Sequence, residues 1–129
     1  MADQQRSKDF YVGVLGGKVV KAENPCYIQL ANSWIILNSG GGPTSDKPEV
    51  ILKTPEDLNT VSSFLNLRVA DAWNCYREWS AKGAQFLTEP MDNHGWELRC
   101  YMRDPDGYLI EVGQYSQRAI DHFRQFNGE

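Results

Sequence analysis

Arg103-Asp104-Pro105-Asp106-Gly107-Tyr108-Leu109-Ile110-Glu111 is the stretch from which the fold can be read. Asp-Pro-Asp-Gly is a sharp turn: proline presets φ, and glycine accepts a backbone conformation that other residues resist. The turn feeds a strand over Tyr108–Val112. Period-two alternation there places Leu109 and Glu111 on one face and Tyr108, Ile110 and Val112 on the other. The second set suits packing against helices. Before the turn, Leu98–Met102 reads as the partner strand, with Glu97, Arg99, Tyr101 and Arg103 on one face and Leu98, Cys100 and Met102 on the other.

Further upstream, Ala84–Leu87 is extended, and a mobile connection containing Pro90, Asn93, His94 and Gly95 joins it to the hairpin. A helix over Ala72–Lys82, with Trp73 and Tyr76 on one face, stops at Gly83. Phe64–Val69 is an opening strand in which Phe64, Asn66 and Arg68 alternate with Leu65, Leu67 and Val69. The first half of the chain repeats most of this grammar. A helix over Arg6–Leu15 ends at Gly16-Gly17. Strands follow over Lys18–Ala22 and Pro25–Leu30, then a corner at Ala31-Asn32-Ser33 and a strand over Trp34–Leu37. Asn38–Thr60 reads as loop, with Val50–Leu52 its only strand candidate. The first copy has no opening strand, because Ala2-Asp3 match Ala70-Asp71, where that strand of the second copy has ended. An unfilled sheet edge is a liability that self-association would cover, so a homodimer is expected.

The expected fold class is α+β, with one module repeated and the first copy lacking its opening strand. One domain spans residues 1–129, with modules over 1–55 and 61–115 and a tail or helix over 116–129. In that tail Ile120, Phe123 and Phe126 could cover a module. Forty-one per cent hydrophobic and 23% charged residues suffice for an ordinary core, and no apolar run is long enough to cross a bilayer. Thirteen basic against seventeen acidic side chains give a net charge of -4, which disfavours nucleic acid as a partner. The first residues have no apolar segment of the kind that directs secretion. Three cysteines, Cys26, Cys75 and Cys100, lack CxxC spacing and read as reduced, so a cytoplasmic location is expected.

Asp9-Phe10-Tyr11 with Val14-Leu15-Gly16 in the first copy, and Arg103 to Glu111 in the second, resemble the vicinal-oxygen-chelate superfamily. That superfamily includes glyoxalase I, bleomycin-resistance proteins, fosfomycin-resistance enzymes and extradiol dioxygenases. The resemblance implies paired βαβββ modules forming a cupped mixed sheet, the first module lacking its opening strand, and a divalent metal held in the cup by ligands on the first and last strands of each module. On that pattern Glu111 matches the last-strand carboxylate of the second module. Leu37 would match it in the first, and Phe64 falls where a histidine or glutamine is usual. Neither Leu37 nor Phe64 can ligate, so of the inherited set Glu111 alone remains.

Strand parity assembles a cup wall from Phe64, Asn66, Arg68, Arg99, Tyr101 and Glu111. The arginines offer directional donors to a carboxylate or phosphate, Tyr101 a hydroxyl, and Phe64 an apolar floor. The plainer alternative pairs Arg99 with Glu111 across neighbouring strands and leaves Arg68 and Glu97 in solvent. His94, in Asp92-Asn93-His94-Gly95-Trp96, could transfer a proton or contribute a ligand, although a loop histidine is more often merely exposed. Trp96 could stack on a planar ligand or anchor the hairpin. Gly40-Gly41-Gly42 lacks the residues of a phosphate loop. Two functions follow. One is a binder of a small polar or planar molecule in a dimer cleft, without a complete metal site. The other is a divergent metal-dependent lyase, isomerase or dioxygenase in which Glu111 holds the metal or abstracts a proton, assisted by Tyr101, Arg99 or His94.

Overall fold

The computed structural model describes residues 1–22 and 25–127; Gly128 and Glu129, the end of the expected tail, lie outside the described residues. The chain forms two units. Met1–Val61 with Asp104–Tyr108 make the first, and Ser62–Arg103 with Leu109–Glu129 the second.

In the first unit, helix α1 (Gln4–Lys8) begins earlier than the apolar pattern indicates, because the Asp3 carboxylate accepts a hydrogen bond from Arg6 N at 3.0 Å and caps it. The chain continues through a wider, π-helical turn over Asp9–Val14, in which Leu15 N donates to Phe10 O. At Gly17 an added Cβ would lie 2.6 Å from Ile28 Cγ2 and 2.8 Å from Tyr11 O. Glycine is thus what lets helix and sheet approach. The antiparallel strands β1 (Lys18–Lys21), β2 (Cys26–Leu30) and β3 (Ser33–Leu37) follow in spatial order β1-β2-β3. Register pairs Cys26 with Leu37 and Ile28 with Ile35, so these four share the face whose Cys26, Ile28 and Leu37 are buried. Tyr27, Gln29, Trp34 and Ile36 occupy the other face. Among the described residues no strand pairs with β3 on its side away from β2, as expected for a module without its opening strand. The Val50–Leu52 strand candidate reduces to a single bridge between Gly41 and Leu52.

The Asp104–Tyr108 turn does more than reverse the chain. Asp104 Oδ1 accepts from the backbone N–H of Asp106 and of Tyr108, both at 2.9 Å, and Oδ2 accepts from Tyr11 Oη at 2.8 Å. Asp106 in turn accepts from Ser7 Oγ, Ala2 N and Arg6 Nη2. Burial, reinforced by the charge of Asp104, pushes the Tyr11 hydroxyl well above its ordinary value. Burial likewise raises the Asp104 carboxyl against the pull of its hydrogen bonds. A motif that announces only a turn is also the socket of α1.

The second unit is a complete βαβββ module. Its sheet runs β4 (Leu65–Arg68), β8 (Leu109–Tyr115), β7 (Glu97–Arg103), β5 (Gln85–Phe86), with β6 (Met91–Asn93) also on β7; β4 is parallel to β8 and every other pair is antiparallel. Helix α2 (Ala72–Ala81) is capped by Asp71, which accepts from Asn74 N at 3.0 Å, and the chain leaves it through Gly83 at φ +99°. Cys100, Met102, Ile110 and Val112, all of one parity, are buried together with Ala72. Burial pushes the Cys100 thiol up to about 11, and all three cysteines are free.

Two expectations about this unit change. The connection expected to be mobile contains β6, whose Met91, Asp92 and Asn93 pair with Arg99, Leu98 and Glu97. Asp and Asn carry weak strand propensity, and an available ladder on β7 overrides it. The last strand also runs past Gly113 to Tyr115, because Gly113, Gln114 and Tyr115 find partners in Arg99, Leu98 and Glu97. Beyond it α3 (Gln117–Asn127) resolves the tail as a helix, with Ala119 N donating to Ser116 Oγ at 3.2 Å.

Candidate functional site

The face of the second unit's sheet opposite Cys100, Met102, Ile110 and Val112 gathers most of the residues expected to carry function. Parallel register sets Asn66 beside Glu111, and antiparallel register sets Glu111 beside Tyr101. Asn66 Nδ2 donates to Glu111 Oε2 at 2.7 Å, and Arg68 Nη2 lies 3.9 Å from Glu111 Oε1. Glu111 is only 4% exposed, so its carboxylate depends on these donors for the solvation it has lost. Phe64 meets the Tyr101 ring edge-to-face at 6.0 Å and is otherwise half exposed. The Arg99 guanidinium lies 5.8 Å from the centre of the same tyrosine ring.

Sequence parity puts Glu97 on the same face of its strand as Arg99 and Tyr101, and the plainer alternative leaves it in solvent. The structure buries it at 8% exposure and makes it the centre of the network. Arg68 Nη1 donates to Glu97 Oε2; Asn93 Nδ2 donates to Oε1 at 3.3 Å, and Arg99 Nη1 stands 3.5 Å from the same oxygen. Burial raises the Glu97 carboxyl, but the hydrogen bond and charge of Arg68, with Asn93 and Arg99, outweigh it and hold the group below the usual carboxylate range. Arg99 therefore pairs with Glu97 rather than with Glu111, and Arg68 is an ion-pair partner rather than a solvated charge.

Gly113 is the residue that sequence reasoning passed over. An added Cβ there would lie 2.3 Å from Arg68 Nη1 and 3.1 Å from Arg68 Cζ. The guanidinium, which starts on β4, crosses β8 at Gly113 to reach β7, and its Cζ lies 4.2 Å from the centre of the Tyr115 ring. A glycine inside a strand is the signal that could have revealed it.

His94 and Trp96 stand apart from this network. His94 is exposed at the β6–β7 turn, at φ +53°, and no hydrogen bond or ion pair joins it to either glutamate. The Trp96 ring packs against α3, 5.4 Å from the His122 ring and 4.5 Å from Arg118 Cζ, which suits anchorage of the hairpin. In the first unit the position that matches Glu111 is Ile36 rather than Leu37. Leu37 is 5% exposed on the buried face, whereas Ile36, 53% exposed, lies on the face opposite it. The two positions differ by one residue, which in a strand reverses the face.

Among the described residues no three His, Cys, Asp or Glu side chains gather to hold a metal. The surroundings of Glu111 do not fit a divalent ion either. Asn66 turns an N–H rather than an oxygen toward it, and Arg68 brings a fixed positive charge to the same carboxylate.

The pattern of modules and this mixed sheet define a family. The Glyoxalase/Bleomycin resistance protein/Dioxygenase superfamily model matches residues 1–112, and the chain belongs to that superfamily. It is similar to proteins named lactoylglutathione lyase from Escherichia coli O157:H7 and Shigella flexneri, at 29% identity over 120 residues, covering 87% of this chain and 84% of each relative. Among solved structures it resembles an integron cassette protein from the mobile metagenome of V. Cholerae (25% identity, TM-score 0.66, 90% of this chain and 89% of that one). It also resembles the antibiotic binding protein TnmS3 from Streptomyces sp. CB03234 (20% identity, TM-score 0.65, with the same two coverages). No helix of the described residues is long and apolar enough to cross a membrane.

Proposed function

We propose that this protein binds a small polar or planar molecule on the open face of its second unit, using protein groups rather than a coordinated metal. The carrying observation is the arrangement of Arg68, Arg99, Asn66, Glu97 and Glu111 beside the Tyr101 and Phe64 rings. Charged hydrogen-bonding groups satisfy one another there, next to half-exposed aromatic surface. Such a face offers stacking and directional hydrogen bonds without demanding a reaction. The antibiotic binding protein of the same fold supports this reading. The three free cysteines suit a reducing, cytoplasmic setting. Exposed Trp34 and Ile36 on β3 support closure of the binding cleft by a second copy.

The test has two arms. Protein purified without chelator is assayed for divalent metal, then titrated with a planar aromatic carboxylate such as 2-naphthoate while intrinsic fluorescence is followed. The expected result is metal-free protein and saturable binding, weakened about tenfold in Arg99→Ala. One firmly held ion per chain, lost in Glu111→Gln, would overturn the proposal. It would favour the second reading, a metal-dependent lyase, isomerase or dioxygenase, which the relatives named lactoylglutathione lyase support.

A further inference from the structure

We propose that the Arg68 guanidinium is the resident cation of this face: carried across Gly113 to lie between Glu97 and Glu111, it supplies the positive charge that a divalent ion would bring and so excludes one. This rests on the reading of the face as a metal-independent binding site and explains how that site is built.

The route of the side chain carries the inference. Arg68 registers with Gly113 on β8, and Gly113 registers with Arg99 on β7, so three strands meet in one row. To reach Glu97, Arg68 passes over the middle strand, where a Cβ at position 113 would lie 2.3 Å from its Nη1 and displace the guanidinium from this path. The backbone does not itself require glycine there, since Gly113 is absent from the residues with positive φ. A strand-interior glycine is conformationally unfavourable, and here the passage of the guanidinium is what it permits. Tyr115 then supports the cation from beneath, 4.2 Å from Cζ. The guanidinium ends bonded to Glu97 through Nη1, with Nη2 3.9 Å from Glu111. Both amides present, Asn66 and Asn93, also turn N–H groups toward the carboxylates. Every one of these donors would repel a metal ion or occupy an oxygen it needs. The two glutamates are thereby partnered by a cation tethered to the chain, which neither dissociates nor depends on metal supply.

The proposal is tested by titrating Mn2+ into the full chain and following free ion by electron paramagnetic resonance, with thermal unfolding recorded in parallel. Wild type is expected to take up no stoichiometric ion. Arg68→Ala is expected to bind one Mn2+ about tenfold or more tighter than wild type and to be stabilised by it. Adding Glu111→Gln to that variant should abolish the gain. Gly113→Ala displaces the guanidinium without removing it and should show the same change in weaker form; it serves if Arg68→Ala does not fold. Stoichiometric uptake by wild type with Arg68 in place would overturn the inference. So would folded Arg68→Ala and Gly113→Ala proteins that take up none; in that case 2-naphthoate binding by wild type would leave the proposed function standing. A wild type that ignores 2-naphthoate while Arg68→Ala gains Mn2+ would sink the proposed function alone.

Discussion

In the first unit, the sheet face opposite the buried Cys26 and Ile28 carries Tyr27, Gln29, Trp34 and Ile36. In the second, the face opposite the buried Cys100 and Met102 carries Asn66, Arg68, Glu97, Arg99, Tyr101 and Glu111. The inner faces are alike: small sulfur-bearing and branched apolar side chains, fully buried, beneath a helix that a glycine terminates. Both βα repeats thus keep the pattern needed to bury a core, while the opposite faces diverge: the first sets Lys18 and Lys21 beside aromatic and uncharged side chains, and the second carries a network of paired carboxylates and guanidinium groups. Folding constrains one parity of each strand and leaves the other free to acquire chemistry.

The largest expected effects probe the shared half of this comparison. Met102→Ala and Ile28→Ala should each cost about 2–5 kcal/mol in urea unfolding, since each empties a fully buried site. A loss in one unit but not in the other would break the equivalence of the inner faces. Asp104→Ala should cost about 2–4 kcal/mol, because it strips acceptors from the Tyr11 hydroxyl and two backbone N–H groups. Tyr11→Phe should lose less, removing one bond where the aspartate variant removes three.

Acid unfolding separates the units by sign. The Glu97 carboxyl is held below the usual range, so the folded state binds its proton less readily than the unfolded chain does. Its contribution is full above the ordinary carboxylate range and is lost as pH falls toward the depressed value. Asp104 is raised, so it does the reverse: its protonation adds stability as pH falls through the folded value toward the ordinary one. Stability measured between neutral and strongly acidic pH should therefore decline less in Glu97→Gln and more steeply in Asp104→Asn. The same direction in both would remove the assigned causes. The smallest effect concerns the two hairpin corners, where Ala31 and His94 each sit at φ +53°. Glycine at either position should stabilise by up to about 1 kcal/mol in thermal unfolding, relieving a left-handed backbone that L-residues disfavour.

Much of the second unit was legible because its strands alternate cleanly. Cys100, Met102, Ile110 and Val112 announce a buried face, and Glu111, Tyr101, Arg99, Asn66 and Arg68 follow by parity onto the other. The first unit was less legible where a strand was apolar on both faces. Trp34-Ile35-Ile36-Leu37 contains no polar residue to mark its phase, so no local pattern tells whether Ile36 or Leu37 lies on the face that carries Glu111 in the second unit. The partners of Glu97 were illegible for another reason: whether Arg68 reaches two strands away depends on the space above Gly113, which no local pattern encodes.

By itself the chain determined most of its secondary elements, its repeated order, its family resemblance and the parity that puts a carboxylate at position 111 among polar neighbours. Periodicity and turn chemistry are local, and a sequence carries local information directly. Only the tertiary structure decided that Glu97 is buried, that Arg68 serves it across a glycine, that Asp104 receives Tyr11, and that Trp96 turns to α3. Those outcomes depend on which side chains share a volume once strands distant in sequence are laid edge to edge, and on which donors a buried carboxylate must recruit in place of water.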